Sequence, residues 1–333
     1  MAMKHHVLPA VLFIACVLNE SVLCGAVGAQ AYPAKPVRIV VGMQAGSAGD
    51  LAFRGIGQVF ARSLGQPFVI ENRVGADGMI AGEACVRAPS DGYTLCGGDS
   101  FMFVLNPVIR SRMPYDPATD MIAVALLGFL PAAILVAPSV PVKTLAELFS
   151  LAKADPNSIS WGTFGLASSS HLYVEWLRNQ QNIAFYNVAY KTAPQAWQAL
   201  LAGEVQVVSF SVNSALPQVK AGKARMLAIN TDSRLARTPD VPTVREAGLN
   251  IPILTWYAMV APAAVPTEIV RRLNQEFTVR VFSDSEAKEQ ILGKGGIETL
   301  PPVGEGADSI AQFFRQERKK YAAIIKAARV PIE

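Results

Sequence analysis

Val37-Arg38-Ile39-Val40-Val41 runs into Gly42-Met43-Gln44-Ala45-Gly46-Ser47-Ala48-Gly49-Asp50, and a helical pattern follows over 51–64. The first five residues are apolar except Arg38, as expected of a strand covered on both faces. The glycines suit a tight turn, and Gly65 with Pro67 beyond it marks the helix end. A buried strand, a small-residue loop and a helix make the opening unit of a parallel α/β sheet.

The same alternation continues along the chain. Strands are predicted over 68–70, 93–96, 159–161, 185–188, 205–210, 226–229 and near 256–260. Helices are predicted over 79–87, 168–180, 193–201, 216–221, 267–282, 286–292 and 308–328, with Thr267 as the cap of the long one. Thr144-Leu145-Ala146-Glu147 is a capping box that opens a further helix, ending before Pro156. Strict alternation implies parallel sheets with helices on both faces. A chain of about 300 mature residues exceeds one comfortable core, so two lobes are expected. Residues 121–142 carry no charge and are long enough to suggest a membrane helix. Gly128, Pro131 and Pro138 interrupt them, so the stretch reads as two short buried strands, 122–127 and 132–137, about a proline turn.

The chain of 333 residues is 51% apolar and 17% charged, which excludes a disordered class. Its 30 Lys and Arg against 26 Asp and Glu form no phosphate-tracking block, so nucleic acid is not an expected partner. Lys4, an apolar run over 7–18 and Ala29-Gln30-Ala31 follow the order of a secretory signal peptide, with cleavage near Ala31. The run is too short to span a bilayer. Cys16 and Cys24 leave with this leader, and Cys85 and Cys96 remain. They flank the turn Pro89-Ser90-Asp91-Gly92, where a disulfide and two buried free thiols are both open readings.

Ligands of parallel sheets sit at the carboxyl ends of strands. Two such loops favour anion capture. In Ala45-Gly46-Ser47-Ala48-Gly49-Asp50, glycine lets backbone N–H groups approach a ligand, and the helix start beyond adds a positive dipole end. Gly162-Thr163-Phe164-Gly165-Leu166-Ala167-Ser168-Ser169-Ser170 repeats the arrangement with hydroxyls. Each also reads simply as a tight turn with Ser or Asp capping a helix. Catalytic readings fare worse. The glycine spacing at 42, 46 and 49 is not G-x-G-x-x-G, no tyrosine has a lysine four residues on, and no G-x-S-x-G occurs. His171, the one histidine beyond the leader, reads as a helix-start residue. One histidine with two cysteines builds no usual zinc or iron site.

Several further stretches fall into a recognisable order: Tyr32-Pro33-Ala34-Lys35-Pro36-Val37-Arg38, Leu64-Gly65-Gln66-Pro67-Phe68-Val69-Ile70-Glu71-Asn72-Arg73 and Asp91-Gly92-Tyr93-Thr94-Leu95. Asn106-Pro107, Tyr115-Asp116-Pro117, His171-Leu172, Tyr190-Lys191, Gly222-Lys223-Ala224-Arg225, Pro239-Asp240-Val241-Pro242-Thr243, Trp256 and Ala261-Pro262 complete it. In this order the chain resembles the Bug family, periplasmic solute receptors of tripartite tricarboxylate transporters. The resemblance implies a type II periplasmic-binding-protein fold, an α/β fold of two lobes with mixed, mostly parallel sheets and a hinge. It implies a discontinuous lobe 1 over 32–135 and 255–333, lobe 2 over 136–254, and a signal peptide over 1–31.

The same resemblance implies a periplasmic receptor that captures a small carboxylate, a di-, tricarboxylic or aromatic acid, by lobe closure. No catalysis and no cofactor are expected. Its partners would be the large and small membrane permease subunits, and the receptor itself would be a monomer. The alternative on the same fold is a periplasmic sensor reporting to a membrane kinase. By position, Gly46, Ser47 and Asp50 carry over to the first binding loop, Thr163 and Ser168 to the second, and Tyr190 and Lys191 to a tyrosine-lysine motif. Ser100 and Ser211 are expected on flanking loops. The chain departs from the family pattern at Gly42-Met43-Gln44, where prolines are usual, at Ala167 and Thr192, where glycine is usual, and at Phe210, where an aspartate is common. With Phe210 in place of an acid, the expected ligand is a carboxylate with an apolar or aromatic body rather than a free amino acid.

Overall fold

A computed structural model describes residues 1, 32–165, 168–251 and 253–332. The expected signal peptide, with Cys16, Cys24 and the cleavage site near Ala31, lies outside the described residues, as do Leu166 and Ala167. Strands are β1 (Val37–Val41), β2 (Phe68–Asn72), β3 (Thr94–Asp99), β4 (Met121–Leu130), β5 (Ala132–Val136), β6 (Ser160–Phe164), β7 (Tyr186–Tyr190), β8 (Val207–Ser211), β9 (Arg225–Ile229) and β10 (Thr255–Pro262). Helices are α1 (Ala48–Leu64), α2 (Met79–Val86), α3 (Asn106–Ile109), α4 (Pro117–Asp120), α5 (Leu145–Ala154), α6 (Ser169–Gln181), α7 (Ala193–Ala202), α8 (Val212–Lys220), α9 (Thr267–Phe277), α10 (Ser285–Ile291) and α11 (Ala307–Ala328).

The strands form two five-stranded sheets, β2-β1-β3-β10-β4 and β7-β6-β8-β5-β9. In the first, β1 runs parallel to β2 and β3, and β10 is antiparallel to β3 and β4. In the second, β6 runs parallel to β7 and β8, and β5 is antiparallel to β8 and β9. The fold is the expected α/β one, two lobes with mixed sheets. Val37, Ile39, Val40 and Val41 are wholly buried, while Arg38 reaches out to Glu71 at 3.2 Å. Helix α1 lays Phe53, Ile56 and Phe60 on that sheet, and Gly65 closes it in the left-handed conformation.

The uncharged stretch 121–142 is two strands in different sheets, β4 in the first and β5 in the second. No helix among the described residues is long and apolar enough to cross a membrane. The chain passes between sheets at Pro131, ahead of the expected break after 135. β4 also outruns its predicted end, because Gly128 bulges rather than turns. Its φ is +148°, and a Cβ there would lie 2.5 Å from Ile297 Cγ2 and 2.7 Å from the Glu298 carbonyl oxygen. The register with β10 slips between Tyr257 and Ala258, and Phe129 then pairs with Glu298 through N–H···O bonds of 2.8 and 2.7 Å. Thr267 does not cap α9, since Pro266 holds that position and Thr267 begins the helix itself.

Cys85 and Cys96 are joined in a disulfide between α2 and β3, and both are fully buried. Closing so short a loop is worth about 2–3 kcal/mol. The long α11 bridges the halves of the molecule. It packs on β4 and on α6, and Asn179 and Gln180 of α6 donate to the carbonyls of Ala328 and Ala327 at 2.9 and 2.8 Å, which satisfies its last turn.

Candidate functional site

The registers locate the cleft. Asp99, the last residue of β3, lies opposite Tyr257, and Thr255 lies opposite Leu130. Pro131 follows, and Ala132 lies opposite Ser211, the last residue of β8. The carboxyl ends of β3 and β8 therefore flank the crossing from opposite sheets. Ser100 and Ser211 stand at these two ends, each at the start of a helical turn, and neither hydroxyl caps it. Ser100 is 1% exposed and Ser211 half-buried, and neither side chain bonds the helix it precedes.

The first loop is held from below. Asp50 is wholly buried, and its carboxylate accepts the Gly46 N–H at 2.8 Å, Arg54 Nε at 2.9 Å and Asn72 Nδ2 at 2.7 Å. Asn72 Nδ2 also donates to the Met43 carbonyl at 3.0 Å, and Arg54 Nη2 donates to Asn72 Oδ1 at 2.7 Å. Burial alone would raise the Asp50 pKa. The bonds from Arg54, Asn72 and Gly46, with the Arg54 charge, outweigh it and hold the carboxyl below its ordinary value. Asp50 is thus turned inward as the anchor of the loop rather than offered to a ligand. Gly46 takes φ +82°, which a side chain would strain.

Ser47 caps α1 by accepting the Asp50 N–H at 3.3 Å, which leaves its own O–H proton to donate. The N–H groups of Ala48 and Gly49 come at the start of α1, where no intrahelical acceptor exists. A carboxylate meeting them would also meet the positive end of the helix dipole. Sequence reasoning missed Asn72 and Arg54. Their signal was an asparagine ending the edge strand β2 beside the glycine loop.

The second loop also spends its hydroxyls inward. Thr163 Oγ1 donates to Asn187 Oδ1 at 2.6 Å, and Ser170 Oγ accepts the Phe164 N–H at 3.3 Å. Ser168 Oγ caps α6 through the His171 N–H at 3.3 Å and lies 3.0 Å from Ser170 Oγ. Thr163, Ser168 and Ser170 are at most 2% exposed. They shape the start of α6, as the capping reading of this loop had it. Burial holds His171 below its ordinary pKa, against the pull of Glu175.

Tyr190 and Lys191 are not brought to the crossing. Tyr190 ends β7, the outer edge of the second sheet, Lys191 follows it, and both line an open groove of about 720 Å³ with Pro194, Gln198 and Glu204. Phe210 is half-buried, its ring stacked on Trp197 of α7 with centroids 5.0 Å apart and planes 7° from parallel. Asp99, beside Ser100, accepts the Phe101 N–H at 3.0 Å. Withdrawal from water pushes its carboxyl up to about 6, partly offset by N–H groups of the following turn.

A family model described as "Tripartite tricarboxylate transporter family receptor" matches residues 52–330. A UPF0065 protein from the gbd 5' region of Cupriavidus necator is 32% identical over 302 residues, 90% of this chain and 89% of that protein. Protein BugT of Bordetella pertussis is 27% identical over 302 residues, 90% of this chain and 91% of its own. Among solved structures, an R. palustris protein with adipate superposes with a TM-score of 0.78 at 30% identity, covering 90% of this chain and 99% of that one. MatC from Rhodopseudomonas palustris with bound malate gives 0.74 at 28% identity, covering 88% and 100%.

Proposed function

The chain belongs to the tripartite tricarboxylate transporter receptor family, and from that premise we propose that it captures a small carboxylate by closing its lobes over the crossing at Pro131. One observation carries this reading: the carboxyl ends of β3 and β8 flank that crossing from opposite sheets, and the serine at each end, Ser100 and Ser211, does not cap the helix it precedes. Beside them, the start of α1 offers the Ala48 and Gly49 N–H groups and the Ser47 O–H. Such a site needs no cation, because donors of fixed geometry and a helix end stabilise the anion. Relatives with adipate and with malate support a dicarboxylate, bound at one end by α1 and at the other by a hydroxyl.

The expected ligand carries no ammonium group, because Phe210, packed on Trp197, replaces the aspartate that the family pattern commonly carries there. Capture takes place in the periplasm, proceeds without covalent chemistry or cofactor, and delivers the solute to membrane permease subunits from a monomeric receptor. Binding and closure are linked, because the ligand meets donors of both lobes only when they approach.

Isothermal titration with adipate, malate, benzoate and aspartate tests this. One of the first three is expected to saturate a single site with Kd of about 1 μM or tighter. Aspartate binding more tightly than all three would overturn it.

A further inference from the structure

Two stretches of backbone join the sheets. One is Leu130-Pro131-Ala132, between β4 and β5, and the other leads from β9 into β10. Any swing of one lobe against the other must be absorbed by dihedrals in these crossings. One side chain is hydrogen-bonded to both. Asn230, just past β9 and 3% exposed, accepts the Ala132 N–H on Oδ1 at 2.8 Å and donates from Nδ2 to the Ile253 carbonyl at 2.5 Å. Its backbone N–H donates to the Ala132 carbonyl at 3.0 Å. The second crossing is fastened again one residue on, where the Tyr321 hydroxyl of α11 donates to the Leu254 carbonyl at 3.2 Å.

The chemistry of the residue fits the position. An amide presents an acceptor and a donor on one planar group, so it can take an N–H from one strand and give one to a carbonyl of the other. A carboxylate could only accept, and an aliphatic chain could do neither. With the tie in place, the crossings cannot rotate independently without leaving buried polar groups unpaired, which is costly.

We propose that Asn230 is the positioning residue of the hinge: it couples the two crossings into one axis and so sets the fraction of receptor in the closed, ligand-holding state. Its geometry stands alone, but its consequence for affinity rests on the carboxylate-capture reading. Apparent affinity scales with the population of the competent conformer. Loss of the tie therefore weakens binding although no ligand contact is removed.

The test compares the unmodified chain with Asn230→Leu and Asn230→Thr by small-angle X-ray scattering, without ligand and with adipate, alongside titration with adipate. Without ligand, Asn230→Leu is expected to show a larger radius of gyration. Its adipate affinity is expected to fall by roughly tenfold. Asn230→Thr, whose hydroxyl reaches one crossing only, falls between. A folded Asn230→Leu with unchanged scattering and affinity overturns the proposal. If the unmodified chain binds no adipate, the capture reading loses that support, and the ligand-free scattering still decides the hinge. If both variants fail to fold, amide exchange in the unmodified chain decides it. Protection of the Ala132 amide equal to that of Ile134 supports the tie, and exchange at the rate of an exposed loop overturns it.

Discussion

An Asp50→Ala receptor is expected to bind adipate at least about 100-fold more weakly and to lose about 3 kcal/mol of stability, although Asp50 touches no ligand. The carboxylate is the common acceptor for Gly46, Arg54 and Asn72. Without it the Gly46 N–H loses its partner below the loop, the Asn72 amide keeps only the Met43 carbonyl, and Arg54 loses its counter-charge. Arg54 is 42% exposed, so water recovers part of its share, and the stability cost falls at the low end for a broken buried pair. The binding cost is larger in proportion because the loop places the Ala48 and Gly49 N–H groups. Urea unfolding and adipate titration of the variant measure both effects, and unchanged affinity in a folded protein would contradict the anchoring role. The same residue predicts acid sensitivity. Its pKa is lowered in the folded state, so its contribution is present above the ordinary carboxylate value of about 4 and is lost as pH falls through the folded one. The alanine variant should lose that acid-labile part of its stability.

Trp256→Ala is expected to cost about 4 kcal/mol of stability. The indole is wholly buried between Phe103, Phe313 and Phe314, with ring centroids at 6.0, 5.2 and 4.8 Å. Its Nε1–H donates to Glu317 Oε2 at 3.1 Å, and Glu317 is 7% exposed. Truncation therefore opens a cavity, removes aromatic contacts and strips a buried carboxylate of one partner, leaving it with Lys320. Because Phe313, Phe314 and Glu317 all lie on α11, exchange protection should fall along that helix first. A loss under about 1 kcal/mol would show that the aromatic stack does not hold α11 to its sheet.

The alternation of strands and helices was legible because burial on both faces leaves an unmistakable apolar signature, as in Val37–Val41, and because Ser47, Gly65, Thr144 and Ser168 mark helix ends chemically. The loops after β1 and β6 were legible for the same reason. What each polar side chain does there was not. Asp50 and Thr163 bond inward, while Ser100 and Ser211 stand at the strand ends without capping the helices they precede, and that placement follows from strand register across two sheets rather than from local spacing. Gly128 read as a breaker because its reason, the approach of Ile297 and Glu298, lies far along the chain. Asn230 carried no signal at all, since its partners Ala132 and Ile253 are brought to it only by the fold.

The anion is expected at the crossing between the carboxyl ends of β3 and β8. A crystal structure of the receptor grown with adipate tests it most directly. One carboxylate is expected within about 3 Å of the Ala48 or Gly49 N–H, and the ligand within hydrogen-bond reach of Ser100 or Ser211. Adipate lodged instead in the outer groove beside Tyr190 and Lys191, with the start of α1 untouched, would contradict it.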